Sequence, residues 1–357
     1  MFRRLAWSGA LIALLTWSCG GDETITETTG PEITSPSDGE LVLVTHDSFA
    51  VSESLLNAFA ADTGLELAIF RAGDAGTLVN QAILTADNPL GDVLFGVDNT
   101  FLSRPLEAGV FEPYQPAGLD FVPAELQLDS EHRLTPIDFG DVCVNYDKAF
   151  FEGRRVPVSL ADLADPEFRG LLVVEDPATS SPGLAFLMAT VGTFAEESDY
   201  TWLDYWQDLV ANDVMVTSGW EQAYYSASTW WGGDRPLVVS YASSPPAEVF
   251  YAEDPIEEAP TGVVESGCFR QVEFAGILTG TERREEAEQL MDFLLTIPFQ
   301  EDIPLNMFVF PARRDANLPQ VFVENTVIPT DPITLDPAVI DENRELWIEA
   351  WTEIVLP

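Results

Sequence analysis

Apolar and polar positions along the first quarter of the chain predict strands separated by helices. Leu41-Val42-Leu43-Val44-Thr45 is a short apolar, β-branched run, and Ser52 to Thr63 then repeats Leu55, Leu56, Ala58 and Phe59 at helical spacing. A second strand is expected at Leu65 to Phe70, a helix through Leu78, Ile83 and Leu84, and a third strand at Asp92 to Val97. Strand, helix, strand in repeating order argues for a parallel sheet. Ligands of such sheets collect beyond the carboxyl ends of the strands. Here those ends are His46-Asp47-Ser48, Gly73-Asp74-Ala75-Gly76 and Asp98-Asn99. Taken singly, each loop reads equally well as helix capping by Asp, Ser or Asn.

A second unit follows the strand-like Pro136 to Tyr146. Leu171 to Glu175 runs into Asp176-Pro177-Ala178-Thr179-Ser180-Ser181-Pro182-Gly183 and then a helix over Leu184 to Phe194, so hydroxyls and free amides sit at a helix start. Val214 to Val216 leads to Thr217-Ser218-Gly219-Trp220-Glu221-Gln222-Ala223-Tyr224-Tyr225, and Leu237 to Ser240 leads to Tyr241-Ala242-Ser243-Ser244-Pro245. The chain returns through Cys268 to Leu278, an amphipathic helix over Glu282 to Thr296 and a terminal helix over Leu346 to Ile354. The expected fold is α/β with two lobes: residues 41–139 plus 269–357 in lobe 1 and 140–268 in lobe 2. Pro136 to Tyr146 and Cys268 to Phe274 are the candidate crossing strands, about which the lobes rotate to enclose a ligand in the cleft between them.

Residues 1–40 read as an address and a tether. Arg3 and Arg4 precede an apolar run from Leu5 to Trp17, which has the length of a signal-peptide core and is too short to span a membrane. Residues 1–18 are therefore a candidate signal peptide. Leu15 to Gly21 resembles a lipoprotein signal, with Cys19 as the lipid-bearing residue and membrane attachment through that lipid; the alternative is an ordinary signal peptide with an incidental cysteine. Gly20 to Glu40 is rich in Thr, Glu, Gly, Ser and Pro and reads as a flexible tether. The expected location is the periplasm or the cell surface.

Such a location permits disulfides. Without Cys19 the cysteines are Cys143 and Cys268, both in strand-like runs. Pairing them requires the two strands to be neighbours; buried free thiols and a catalytic Cys143 stay open. Sixteen Lys+Arg against 60 Asp+Glu give a net charge of -44, which excludes nucleic acid as the partner because phosphates would be repelled. A small cationic ligand, or simply a solvated surface, suits that charge. His46 and His132 are the only histidines, so no zinc-type metal site is expected.

Five runs in order carry a resemblance: Thr45-His46-Asp47-Ser48-Phe49, Val93-Leu94-Phe95-Gly96-Val97-Asp98-Asn99, Asp176 to Leu184, Thr217 to Tyr224, and Ser240-Tyr241-Ala242-Ser243-Ser244-Pro245. Together they resemble the thiamine-binding proteins of ABC importers, over about residues 41 to 357. The resemblance implies a type II periplasmic-binding-protein fold, a monomer without cofactor, thiamine or its mono- or diphosphate as ligand, and a membrane ABC permease as partner. Ligand positions carry over to Asp74, Ala75, Ser180, Ser181, Trp220 and Tyr241 through Ser244 (Tyr241, Ala242, Ser243, Ser244), with Asp47, Asp98 and Tyr224 alongside. Trp220 and Tyr241 form the implied aromatic clamp on a cationic thiazolium. Asp74 or Asp98 balances its charge, and the serines face the hydroxyl or phosphate end.

Two departures stand out: Phe308 where the family carries tryptophan, and His46 where a tyrosine is familiar. His46 beside Asp47 reads mainly as a capping neighbour. One rival is a thiamine-degrading enzyme on the same scaffold, with Cys143 as nucleophile facing the cleft. The other is a ferric-ion binder using Tyr224 and Tyr225, disfavoured because Tyr225 reads as core. No serine-histidine-acid order or Walker loop is present, so catalysis is not expected.

Overall fold

The computed structural model describes residues 40–195, 199–252 and 254–356. The candidate signal peptide, Cys19 and nearly all of the tether lie outside the described residues.

One mixed sheet runs through the molecule. On one side β1 (Leu41–Thr45) lies between β2 (Leu67–Arg71) and β3 (Val93–Asp98), all parallel. All five residues of β1 are buried, as expected for a parallel strand with both faces covered. Helices α1 (Glu53–Thr63), α2 (Ala75–Leu84) and α3 (Ser103–Glu107) alternate with these strands, and β4 (Phe111–Glu112) adds a short edge. On the other side β6 (Leu172–Glu175) lies between β7 (Met215–Thr217) and β8 (Leu237–Tyr241), again parallel. Helices α4 (Ser181–Thr193), α5 (Trp202–Ala211) and α6 (Pro245–Phe250) belong to this half.

Two long strands join the halves. β5 (Thr135–Asp147) and β9 (Thr261–Leu278) are antiparallel to each other, and they stand between β3 and β8 in the order β2-β1-β3-β9-β5-β8-β6-β7. The sheet is thus parallel in its two halves, as the strand-helix-strand order predicts, and antiparallel at its centre, where the crossing strands lie. The chain then closes the first half with α7 (Arg284–Leu294), α8 (Ile297–Asn306), β10 (Phe310–Pro311) on β5, α9 (Gln320–Asn325) and α10 (Pro337–Val355).

The expected crossing strands are both present. β9 starts at Thr261, seven residues earlier than its apolar stretch suggests, because Thr261 to Val264 pair with Asp147 to Val144 before the main run begins. Between Val264 and Phe269 the register breaks, and Glu265, Ser266, Gly267 and Cys268 stand opposite Cys143 alone. Gly267 adopts φ +86°, and a Cβ there would meet the Leu160 side chain at 2.4 Å, so only glycine serves this bulge. Cys143 and Cys268 are joined across it by a disulfide. Both are buried and pack with Ala242 away from the cavity, so Cys143 does not face the cleft as the degrading-enzyme reading required.

Helices α5 and α8 were not legible in the sequence, and α10 is longer than its expected stretch. α8 contains Pro304, which reads as a helix breaker, and it is held at its start by Thr296 accepting from the Phe299 N–H. α10 begins at Pro337 behind an Asp336 cap, and its buried positions Ile340, Trp347 and Trp351 are interspersed with acidic residues.

Candidate functional site

Three strand ends on one side and two on the other open onto a single cavity of about 540 Å³. After β1 the chain turns through His46, Asp47 and Ser48. The Asp47 N–H donates to Gly73 O at 3.0 Å, and its carboxylate accepts from the Gly73 N–H at 3.2 Å, so the two loops brace each other. Gly73, at φ +98°, then delivers Asp74 to the start of α2, where Asp74 Oδ1 accepts from the Ala75 N–H at 2.7 Å. The capping reading of Asp74 is correct, and its carboxyl also faces the cavity.

Across the cavity, β7 ends at Ser218-Gly219-Trp220 and the chain enters a π-helical turn over Gln222–Ala227, a distortion that recurs at functional sites. This turn brings both Tyr224, buried, and Tyr225, half-exposed, to the cavity wall. The Trp220 ring stacks on Tyr224 at 4.8 Å and 21°, meets Tyr225 edge-on at 5.5 Å, and donates its indole N–H to Ser240 Oγ at 2.8 Å. Tyr241 lies against Gly140 of β5, where a Cβ would come within 2.8 Å of its ring, and its hydroxyl donates to Gln271 Oε1 at 3.2 Å. The Phe308 ring completes the aromatic lining, 5.5 Å from Tyr251, from a backbone at φ +54°. That left-handed conformation is costly for a bulky residue and accompanies sites where position matters more than comfort.

Eight expected residues line the cavity: Asp47, Asp74, Ala75, Ser181, Trp220, Tyr224, Tyr241 and Ser244. Four do not. Asp98 is fully buried and accepts from the Thr100 N–H at 2.7 Å and from the hydroxyl of Ser181, so it braces α4 against β3 instead of facing a ligand. Ser180 caps α4 through Gly183 N–H, Ala242 packs on the disulfide, and Ser243 is buried. The assignment of Tyr225 to the core is corrected: it is 48% exposed, whereas Tyr224 is 1% exposed, with its hydroxyl turned to Glu248.

Two cavity residues on β9, Gln271 and Glu273, were missed. Their spacing of two puts them on one face of the crossing strand, a signal available in the sequence but hidden in a run read only as a hinge. His46 is more than a capping neighbour. Its ring lies 5.7 Å from Phe95, its Nε2 is 3.5 Å from Glu273 Oε1, and Gly96 leaves room for it where a Cβ would come within 2.5 Å.

The electrostatics favour a positive guest. Asp47, Asp74, Glu221 and Glu273 line the cavity, and among the described lining residues there is no Lys or Arg. Burial, together with the charges of Asp98, Asp47 and Glu221, pushes the Asp74 carboxyl up to about 6 against the Ala75 N–H bond that favours its ionised form. Burial pushes Glu273 up to about 7. His46 is driven the other way, to about 4, by burial and by Arg71, so near neutral pH it offers a neutral imidazole and its contact with Glu273 is not an ion pair. Among the described residues no group of three or more His, Cys, Asp and Glu is placed to hold a metal ion.

The model of the bacterial extracellular solute-binding protein family matches residues 88–332. The chain is 28% identical over 320 residues to the thiamine-binding periplasmic protein of Salmonella typhimurium, covering 88% of this chain and 93% of the relative. Iron uptake protein A1 of Synechocystis is 23% identical over 332 residues, covering 89% and 87%. Among solved structures, a periplasmic thiamin binding protein superposes with a TM-score of 0.76 at 26% identity, covering 88% of this chain and 96% of that one. Iron-bound HitA from Pseudomonas aeruginosa shares the fold, with a TM-score of 0.73 at 19% identity.

Proposed function

This chain belongs to the bacterial extracellular solute-binding protein family, and on that footing we propose that it captures thiamine in the cavity and delivers it to an ABC permease. The observation that carries the reading is the stacked Trp220–Tyr224 pair facing a cavity whose only charged side chains, among the described residues, are carboxyls. A flat permanent cation gains from both: the ring face attracts it, and the carboxyls balance its charge. Thiamine-binding relatives at comparable coverage support the choice of ligand.

In this reading residues 41–139 with 269–357 form one lobe and 140–268 the other, and rotation about β5 and β9 closes them over the ligand. Trp220 and Tyr241 hold the thiazolium, Asp74 balances its charge, and Ser181 and Ser244 face the hydroxyethyl arm. A phosphate on that arm meets acidic walls that, among the described lining residues, no lysine or arginine offsets. The preference therefore runs from thiamine to its monophosphate to its diphosphate. Cys19 carries the lipid that keeps a monomeric protein at the membrane.

Asp74 makes capture pH-dependent. Its carboxyl is raised above the ordinary value, so it is protonated below about pH 6, and a cation must expel that proton to bind. Affinity therefore falls as pH falls. From pH 8 to pH 5 the loss is expected to be about tenfold greater in the wild type than in Asp74→Asn, for a group titrating near 6. Equal pH profiles would remove Asp74 from the charge balance.

Two other readings are met by the structure. A degrading enzyme needs a free thiolate, and Cys143 is held by Cys268. A ferric site needs free phenolates, whereas the Tyr224 hydroxyl is committed to Glu248, although Tyr224 and Tyr225 both line the cavity. Incubation of the protein with thiamine, followed by denaturation and mass spectrometry, is expected to return thiamine of unchanged mass. Cleaved pyrimidine and thiazole products, or a visible charge-transfer band on adding ferric ion, would overturn the proposal.

A further inference from the structure

The floor of the cavity holds a feature that the thiamine reading does not use, and the following inference rests on that reading. β5 and β9 place Asp138 directly opposite Glu273. Asp138 is completely buried, and no hydrogen-bond donor among the described residues reaches either of its oxygens. The group set against it is the carboxyl of Glu273, which, unlike Asp138, opens onto the cavity. Two carboxylates in contact and out of water do not both stay ionised, so the pair keeps one proton, which supplies the missing donor.

The groups around the pair reinforce this. His46, after β1, faces Glu273 at 3.5 Å and is neutral because burial and Arg71 lower it. Asp74 from α2 and Asp98 from β3 add negative charge that raises Glu273 further. Tyr241 from β8 has its hydroxyl turned to Gln271, Arg270 of β9 is committed to Asp141 of β5, and β10 contributes only Pro311 opposite Asp138. No cation in this set neutralises the pair.

We propose that the Asp138–Glu273 pair is a proton-exchanging counter-charge that makes the cavity select permanent cations. A positively charged ring lodged against Glu273 drives the shared proton into solvent, leaving two carboxylates beside the cation. A neutral ring of the same shape leaves the proton where it is. The pair thus distinguishes ligands by charge where the aromatic faces distinguish them by shape.

Two measurements on the full-chain protein test this. Without ligand, infrared spectroscopy at pH 7 is expected to show carboxylic-acid C=O absorption that is weaker in both Asp138→Asn and Glu273→Gln than in the wild type, above the contribution of other buried carboxyls such as Glu175. Calorimetric titration with thiamine at pH 7, in two buffers of unlike ionisation enthalpy, counts the protons released. At pH 7 the wild type is expected to release more protons per thiamine than Asp138→Asn, in which the shared proton is gone while Glu273 and Asp74, both raised by burial, still contribute. An analogue carrying a neutral triazole in place of the thiazolium releases none. Acid absorption equal in the wild type and in both variants would overturn the shared proton whatever thiamine does. Equal release by wild type and Asp138→Asn would overturn its exchange. Failure of thiamine to bind while the wild-type excess of acid absorption is present would defeat the thiamine reading, and the selection with it, but leave the shared proton standing.

Discussion

Replacing Trp220 with alanine is expected to weaken thiamine binding by about 2–4 kcal/mol, roughly 30- to 1,000-fold in Kd, the range of a central aromatic anchor. Trp220 is held flat on Tyr224 and pinned by the indole bond to Ser240, so its face is fixed before a ligand arrives. Removing it deletes the ring and also loosens Tyr224, which loses its stacking partner. The fold should survive. Trp220 is only partly buried and packs on a small cluster around Val173, Tyr224 and Val238, apart from the main core, and Ser240 keeps its contact with Ser244. Trp220→Phe retains a ring but not the N–H, so its loss should be smaller. Titration beside a thermal melt separates the two effects. An unchanged Kd in a folded Trp220→Ala protein would remove this residue from the site.

Loss of the Cys143–Cys268 bond is the other large effect. The bond closes a loop of 125 residues, and removing a native crosslink typically costs about 2–5 kcal/mol, largely by freeing the unfolded chain. For a domain of this size that corresponds to a fall in Tm of roughly 4–10 °C. The double variant Cys143→Ala/Cys268→Ala tests it without introducing buried thiols. Because the bond lies in a bulge away from the cavity, thiamine affinity should change far less than stability. A variant that melts with the wild type would mean that the central strand pair is held by its ladder alone. A variant that keeps its Tm but loses affinity would mean that the bond serves closure of the lobes.

The strand ends were legible because β-branched runs such as Leu41 to Thr45 and Leu172 to Glu175 finish in polar loops, and the structure brings those loops to one cavity. Residues on the loops read well for the same reason: Asp74 and Trp220 each follow a strand directly. Asp98, Ser180 and Ser243 follow strands too, yet they point into packing, since sequence position fixes nearness to the rim and not side-chain direction. The misplacement of Tyr225 has a local cause. Tyr225 was read as core, and the π-helical turn over Gln222–Ala227, which no periodicity announced, buries Tyr224 and leaves Tyr225 half-exposed. The Asp138–Glu273 contact lay furthest from reach. It depends on the register of two strands separated by more than a hundred residues, which no local pattern encodes.

The cavity takes a flat cation and disfavours added phosphate. Calorimetric titration of the protein at pH 7.5 with thiamine, thiamine monophosphate, thiamine diphosphate and spermidine reads both properties at once. One-to-one binding that is tightest for thiamine, weaker for each added phosphate and absent for spermidine is the expected result. Tighter binding of the diphosphate, or no binding of any thiamine compound, would contradict it.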